Sequence, residues 1–438
     1  MGSNFTLTVT TFGALLVVLA ATALCGRLAL SVRQPRVVGE MVAGVLLGPT
    51  LLGAVWPHGQ HLLFPESVKS VLYVLSTLGL TFYMFLVGAE IDHKLINRST
   101  VRRSSTLALS GIIPSFLIGA AVAIPLYGTY STGHVDRMGF LVFVGGALAI
   151  TAFPMLARIL QERDIARTEI GTITLVAAAV DDVLAWILLA VIIAMSQAGD
   201  AGHALITIAG TAVFVVVMLT AGRRLLRAVA TRVERVGRMD HQTIVVVLMV
   251  VLAAGWFTDY IGAFSVFGGF VTGLALPHSP TFREQLRVRL ADFNSILLLP
   301  VFFAFSGLNT DLGRILSADP LPLITLLVAA VVGKYSACTV SARLQGFDWR
   351  AASAIGGLMN ARGLMILVFI NVGLAYDIIS VEIFSMLVVV AIVTTALAMP
   401  LYSWSIPAVR ERAMQEAAAR YRDAPPVPVA AQDGAARV

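Results

Sequence analysis

TITLVAAAVDDVLAWILLAVIIAM, residues 172–195, is an apolar run long enough to cross a bilayer, with two adjacent carboxylates, Asp181 and Asp182, in its middle. A carboxylate at that depth costs roughly 2.5–3.5 kcal/mol even on mild insertion scales. A chain carries such a cost where the carboxylates have partners, and usually where something charged must pass. Neighbouring residues stand about 100° apart around a helix, so Asp181 and Asp182 cannot share one partner equally. One can face an adjacent helix while the other faces a cavity. The pair points to an ion pathway; the competing reading is a structural pair satisfied by hydrogen bonds.

The rest of the chain is of the same kind. Of 438 residues, 58% are hydrophobic and 13% are charged, where soluble domains carry about 25% charged. The deficit is spread along the chain, which implies an all-α polytopic membrane protein rather than a soluble domain with an anchor. Thirteen apolar segments are predicted, at 8–30, 37–54, 68–91, 105–128, 138–161, 168–196, 203–229, 242–258, 261–277, 292–308, 318–341, 350–375 and 381–406. They are called segments 1 to 13 below. The loops between them are too short for a soluble domain. Segment 1 lacks a basic leader and a clear cleavage site, so it reads as a retained span. The stretch APPVPVAAQDGAARV reads as a disordered tail. Cys25 and Cys338 are isolated within apolar segments, which disfavours a disulfide or a thiolate metal site.

The basic residues test this division. From the loop after segment 1 onward, alternate loops and the tail hold 26 of the 31 Lys and Arg. They include Arg27, Arg33 and Arg36; Lys94, Arg98, Arg102 and Arg103; Arg158, Arg163 and Arg167; the cluster from Arg223 to Arg238; Arg283, Arg287 and Arg289; and Arg410 onward. The opposite loops hold 3, Lys69, Arg137 and Arg314, which leaves Lys334 and Arg362 deep within segments. This asymmetry predicts thirteen spans with the N-terminus outside and the C-terminus in the cytoplasm. A net charge of +6 thus reports topology, and no nucleic-acid partner is expected.

An odd number of spans permits an inverted repeat in which segments 1–6 match segments 8–13 and segment 7 links them. Segments 5 and 12 would then correspond. Both are flawed helices: segment 5 carries Thr151-Ala-Phe-Pro154, and segment 12 carries Gly356-Gly357 and Asn360-Ala-Arg-Gly363. Broken helices free backbone carbonyls and amides for ions and oppose their half-helix dipoles. Lys334, about two turns inside segment 11, either snorkels to the interface or pairs with one of the aspartates. Arg362, near the middle of segment 12, reads as structural, holding carbonyls of the broken helices or an acidic neighbour. Thr151 stands out from Thr172 and Thr174 as a possible hydroxyl ligand because it lies at the break. The glycine-rich segment 2, GEMVAGVLLGPTLLG, favours close helix packing, with Glu40 read as solvated at its edge. His58 and His61 read as solvated. Neither a phosphate-cradling Gly-rich loop nor a His/Cys ligand cluster is visible, so no cofactor is expected, and no enzyme activity.

Seven stretches within 37–375 carry a resemblance: VVGEMVAGVLLGPTLLG, LTFYMFLVGAEID, ALAITAFPMLARILQER, AAAVDDVLAWILLA, GAFSVFGGFVTGLALP, LLLPVFFAFSGLNTDL and GLMNARGLMILVFINVGL. The chain resembles the monovalent cation:proton antiporter-2 family, the bacterial sodium/proton and Kef-type potassium/proton antiporters. The resemblance implies the sodium/proton antiporter fold, with about thirteen helices in inverted repeats and two crossed unwound helices. It divides the chain into scaffold and dimer helices 1–3 (1–104), core helices 4–6 (105–200), a linker helix 7 (201–240), scaffold and dimer helices 8–10 (241–315), core helices 11–13 (316–409) and a disordered cytoplasmic tail (410–438). It further implies that Asp182 binds the monovalent cation, for which the proton competes; Thr151, from its place at the break, is the candidate hydroxyl ligand beside Asp182 and Asp181. Asp181 would pair with Lys334, and Arg362 and Asn360 would serve structure or coupling. The implied activity is exchange of Na+ for H+ across the cytoplasmic membrane by an elevator-type homodimer surrounded by lipid. The alternatives are K+/H+ exchange, a channel-like or sensory protein with a frozen core, and efflux of an organic solute or cation complex on the same fold.

Overall fold

The computed structural model describes residues 3–32, 34–90, 98–133, 135–166, 168–196, 201–277, 279–313 and 319–423, and these contain helices and no strand. Arg33, Lys94, Arg167, Arg314 and residues 424–438 of the tail lie outside the described residues. Among the described residues nine helices are long and apolar enough to cross a membrane, including 4–31, 66–89, 99–130, 169–189, 241–260, 321–344 and 381–405. The four other segments are interrupted or short, so thirteen apolar segments stand at the expected places.

The first half runs α1 (Ser3–Ser31), α2 (Arg36–Leu47), the short α3 (Leu52–Val55) and α4 (Pro57–Leu63), then α5 (Glu66–Glu90) and α6 (Arg98–Tyr130). Segment 5 is split into α7 (Arg137–Ala149) and α8 (Phe153–Glu162), followed by α9 (Glu169–Ser196). Segment 7 is α10 (Ala201–Val217) and α11 (Arg223–Val236), joined through a π-helical turn at Met218–Gly222. The second half holds α12 (His241–Tyr260), α13 (Ser265–Leu274), α14 (Pro280–Phe293), a π turn at Asn294–Leu298 and α15 (Leu299–Leu308). It continues with α16 (Leu321–Leu344), then segment 12 split into α17 (Trp349–Leu358) and α18 (Leu364–Ala375), α19 (Val381–Ser405) and α20 (Ala408–Asp423).

Polar residues at the loop exits start several of these helices. Asp136, Asp240 and Asp348 accept from the amides of Gly139, Thr243 and Ala351, each satisfying a first-turn amide that has no helical partner. Small residues set the closest crossings. A Cβ on Gly44 would run into the backbone of Phe303 and Ala304, and one on Gly307 into the backbone of Gly44, so α2 and α15 touch backbone to backbone. By packing, α1, α2, α5, α12, α13 and α15 form one group, and α6, α7, α9, α16, α17 and α19 another.

Four local readings change. Segment 10 is apolar from 292, yet its helix begins at Pro280, because Ser279 caps it and Pro280 opens its first turn. Gly356 and Gly357 are not part of the interruption. They are helical, and their missing side chains leave room for Thr339 and Leu401. Glu40 is not solvated; it is 3% exposed, with Oε1 3.0 Å from Arg36 Nε. Residues 408–423 are helical where the composition predicts a disordered tail from 410. The Arg410 guanidinium donates twice to Asp348 at 2.8 Å, and Gln415 donates to the Arg163 carbonyl at 2.7 Å, which ties this helix to two loops.

Candidate functional site

The site lies where the two interrupted segments meet. Residues 150–152 leave the helix between α7 and α8, and residues 359–363 do so between α17 and α18. Unpaired backbone at membrane depth costs several kcal/mol per group, so the breaks must satisfy each other. The Ala152 amide donates to the Ala361 carbonyl at 3.0 Å. The Thr151 hydroxyl donates to the Met359 carbonyl at 2.8 Å. The two breaks are thus bonded directly, 208 residues apart in sequence.

Segment 6 brings its carboxylates to this crossing. Asp181, Asp182, Lys334 and Arg362 are all 0% exposed. Lys334 Nζ donates to Asp181 Oδ2 at 2.7 Å and to the Ala149 carbonyl at 2.7 Å. Ala149 ends α7, so the ammonium sits at the negative end of a half-helix and against a carboxylate together. The amide and hydroxyl of Thr151 lie beside Asp181, whose Oδ1 makes no hydrogen bond. A Cβ on Gly111 of α6 would press on Cys338 Sγ and approach the end of Lys334, so the absence of a side chain there makes room for the lysine.

Asp182 is held differently. Its Oδ1 faces the Phe153 amide at 3.4 Å, which opens α8 and supplies the positive end of a half-helix. Its Oδ2 has no hydrogen-bond partner, and among the described residues no ammonium or guanidinium pairs with it. Such a carboxylate can take up a proton or a small cation.

Arg362 and Asn360 sit on the other break. Arg362 Nη2 donates to the Ala330 carbonyl of α16 at 2.8 Å, while Nε and Nη1 have no partner. Its backbone is held by Thr395 of α19, whose hydroxyl accepts from the Arg362 amide at 3.2 Å and donates to the Arg362 carbonyl at 2.8 Å. Asn360 Nδ2 donates to the Gly356 carbonyl at 3.2 Å, closing the last turn of α17. Thr174 bonds back to Ile170 and Gly171 within its own helix, and Thr172 reaches the Ala166 carbonyl at 3.5 Å. His58 and His61 are exposed and distant in sequence from the crossing. Gly111, Ala330, Phe153 and Thr395 do not stand out in the sequence. Of these only Phe153 carries a signal, its place directly before Pro154 at a helix start.

The transmembrane sodium/hydrogen exchanger family matches residues 15–403. The chain is 37% identical over 398 residues to the Na(+)/H(+) antiporter NhaS4 of Synechocystis sp., covering 90% of this chain and 96% of that protein. It is 38% identical over 374 residues to cation/H(+) antiporter 19 of Arabidopsis thaliana and 32% identical over 378 residues to K(+)/H(+) antiporter 1 of Saccharomyces cerevisiae. It spans 46% and 43% of the length of those two relatives, less than half of each. The sodium proton antiporter MjNhaP1 from Methanocaldococcus jannaschii, solved at pH 8, superposes with a TM-score of 0.58 at 14% identity, covering 93% of this chain and 99% of that one; the two share a fold. The chain belongs to the transmembrane sodium/hydrogen exchanger family and is a multi-pass membrane protein.

Proposed function

We propose that this protein is a secondary transporter that exchanges Na+ for H+ across the cytoplasmic membrane. The observation that carries the proposal is Asp182: a fully buried carboxylate at the crossing of two broken helices, with one oxygen unpaired and no cationic partner among the described residues. A buried carboxylate without a counter-charge is costly, and either a proton or a monovalent cation relieves that cost. Competition of the two for Asp182 couples their movement. The Asp181–Lys334 pair carries no net charge and holds the frame, with Thr151 beside it. Cation binding loosens this pair or follows proton loss from it.

Alternating access is the reading we give to the packing. Segments 4–6 and 11–13 form the core that carries the crossing, segments 1–3 and 8–10 form the scaffold, and the core slides against the scaffold as an elevator. The helix α1 leaves Phe5, Val9, Phe12 and Leu16 exposed in a helical stripe, a face for lipid or a second scaffold in a homodimer. The charge asymmetry of the loops supports a cytoplasmic C-terminus. A cysteine near Arg235 should then label from the cytoplasm and one near Asp377 from outside, and the reverse pattern overturns the orientation.

K+/H+ exchange is the second reading. A relative named for Na+ and another named for K+ both share this fold region. Proteoliposomes with an internal pH dye separate them. Purified protein should move protons when Na+ is added, more than with K+, and Asp182→Asn should abolish the response to both. Equal flux in Asp182→Asn removes Asp182 from the mechanism, and a response to K+ alone reverses the choice of cation.

A further inference from the structure

We propose that a groove between segments 6, 7 and 9 holds an acyl chain of an anionic phospholipid, with its phosphate at Arg223 and Arg227. The groove is a hollow of about 410 Å³ walled by Val183 and Trp186 of α9, Thr211 and Val215 of α10, and Phe267 and Phe270 of α13. Apart from Thr211 these walls are apolar, so water gains few hydrogen bonds there, while a lipid tail loses none. A second hollow of about 250 Å³ is lined by Arg223, Arg227, Thr231 and Glu234 of α11, which continues segment 7, and by Pro277 and Ser279 beyond the end of α13. Arg223 Nε is buried and has no hydrogen-bond partner.

The two hollows fit one amphipathic molecule. Val215 and Arg223 are eight residues apart, about 12 Å of helix, and one leaflet of hydrocarbon is roughly 15 Å deep. A chain entering from the basic end therefore reaches the near edge of the apolar hollow, at Val215, within the depth of one leaflet. Arg223 and Arg227 are fixed cations, and Glu234 two turns beyond Arg227 offsets one of them. The remaining single positive charge matches the one negative charge of a phosphodiester better than the higher charge of free phosphate. The inference rests on the membrane-spanning reading of the chain and not on the exchange cycle, and its test measures no flux.

Trp186 forms part of the wall and reports directly on an occupant. Trp56, Trp256, Trp349 and Trp404 are exposed, so their replacement by Phe leaves Trp186 as the single indole at little cost to folding. This variant is placed in phosphatidylcholine vesicles doped with phosphatidylglycerol brominated in its acyl chains, and compared with brominated phosphatidylcholine alone. Trp186 should be quenched at about fivefold lower mole fraction of the anionic lipid, the preference expected of two arginines at an anionic headgroup offset by one carboxylate. Arg223→Gln with Arg227→Gln, both toward the solvent-facing end of the segment, should remove that preference. Equal quenching by the two lipids overturns the proposal, as does a preference that survives both substitutions. Relief of quenching by added inorganic phosphate assigns the basic hollow to free phosphate and overturns it as well.

Discussion

The breaks in segments 5 and 12 occupy matching places in the two halves, yet they are secured by different chemistry. The break at 150–152 is surrounded by charge. Ala149 receives the Lys334 ammonium, Thr151 lies beside Asp181, and the amide of Phe153 faces Asp182. The break at 359–363 is held by neutral groups. Thr395 bonds both the amide and the carbonyl of Arg362, and Asn360 bonds back to Gly356. Arg362 brings a charge, but its one hydrogen bond goes to a carbonyl. An interrupted helix therefore does not make an ion site by itself. It becomes one where a neighbouring helix supplies carboxylates, and segment 6 supplies them to segment 5.

Four experiments, in falling order of effect, probe the two breaks and their surroundings. The largest belongs to Asp182. Asp182→Asn should leave no cation-driven proton flux while the melting temperature stays near that of the parent, because a neutral amide costs less to bury than a carboxylate. A collapse of the fold instead would make the carboxylate structural and erase the contrast.

Next comes the pair. Removing Lys334 leaves Asp181 buried without its partner, so Lys334→Ala should cost about 3–5 kcal/mol of stability. Adding Asp181→Asn should recover part of that loss. A double-mutant cycle of thermal or denaturant midpoints reads the coupling, and additive effects would sink the claim that the pair acts as a unit.

Third, Thr395→Val keeps the volume but deprives the Arg362 amide and carbonyl of their shared partner. The expected cost is roughly 1–3 kcal/mol. Flux should slow while its pH profile stays in place, since no proton is carried there. A shifted pH profile would place the second break in the chemistry and break the comparison.

The smallest effect lies outside the membrane. The Arg410 guanidinium, together with the first-turn amide of α17, holds the Asp348 carboxyl below the usual carboxylate range. A carboxylate whose folded pKa is depressed contributes stability above its unfolded pKa and loses it as pH falls through the folded value. Both side chains are well exposed, at 52% and 39%, so solvent screens the pair to a fraction of a kcal/mol. Arg410→Gln should lower the melting temperature slightly at neutral pH. The gap should close as pH drops through the carboxylate range, and a gap that persists in acid would assign it to packing of α20.

Much of this architecture is legible in the amino acids because a membrane restricts the choices. Long apolar runs must be helices, and the basic residues of alternate loops separate them. The acidic pair stands out because carboxylates are costly in that setting. Thr151 and Asn360–Gly363 stand out because they interrupt otherwise regular runs. Gly356 and Gly357 mislead for the same reason: glycine signals either a break or a close contact, and only the neighbours Thr339 and Leu401 show that it is contact. The helix at 408–423 is hidden because its polar composition resembles a disordered tail, and its anchors, Asp348 and Arg163, lie in distant loops.

Composition, periodicity and charge placement determined the number of segments, the two interruptions and the costly side chains, because each follows from the local price of burying a residue in hydrocarbon. The resemblance implied which aspartate meets Lys334; which carboxylate oxygen stays unpaired, and how each break is satisfied, were decided by tertiary structure alone. Asp181 and Asp182 are chemically identical and adjacent. Only the rotation of segment 6 against its neighbours, 153 residues from Lys334 in the chain, turns one toward the ammonium and the other toward the amide of Phe153.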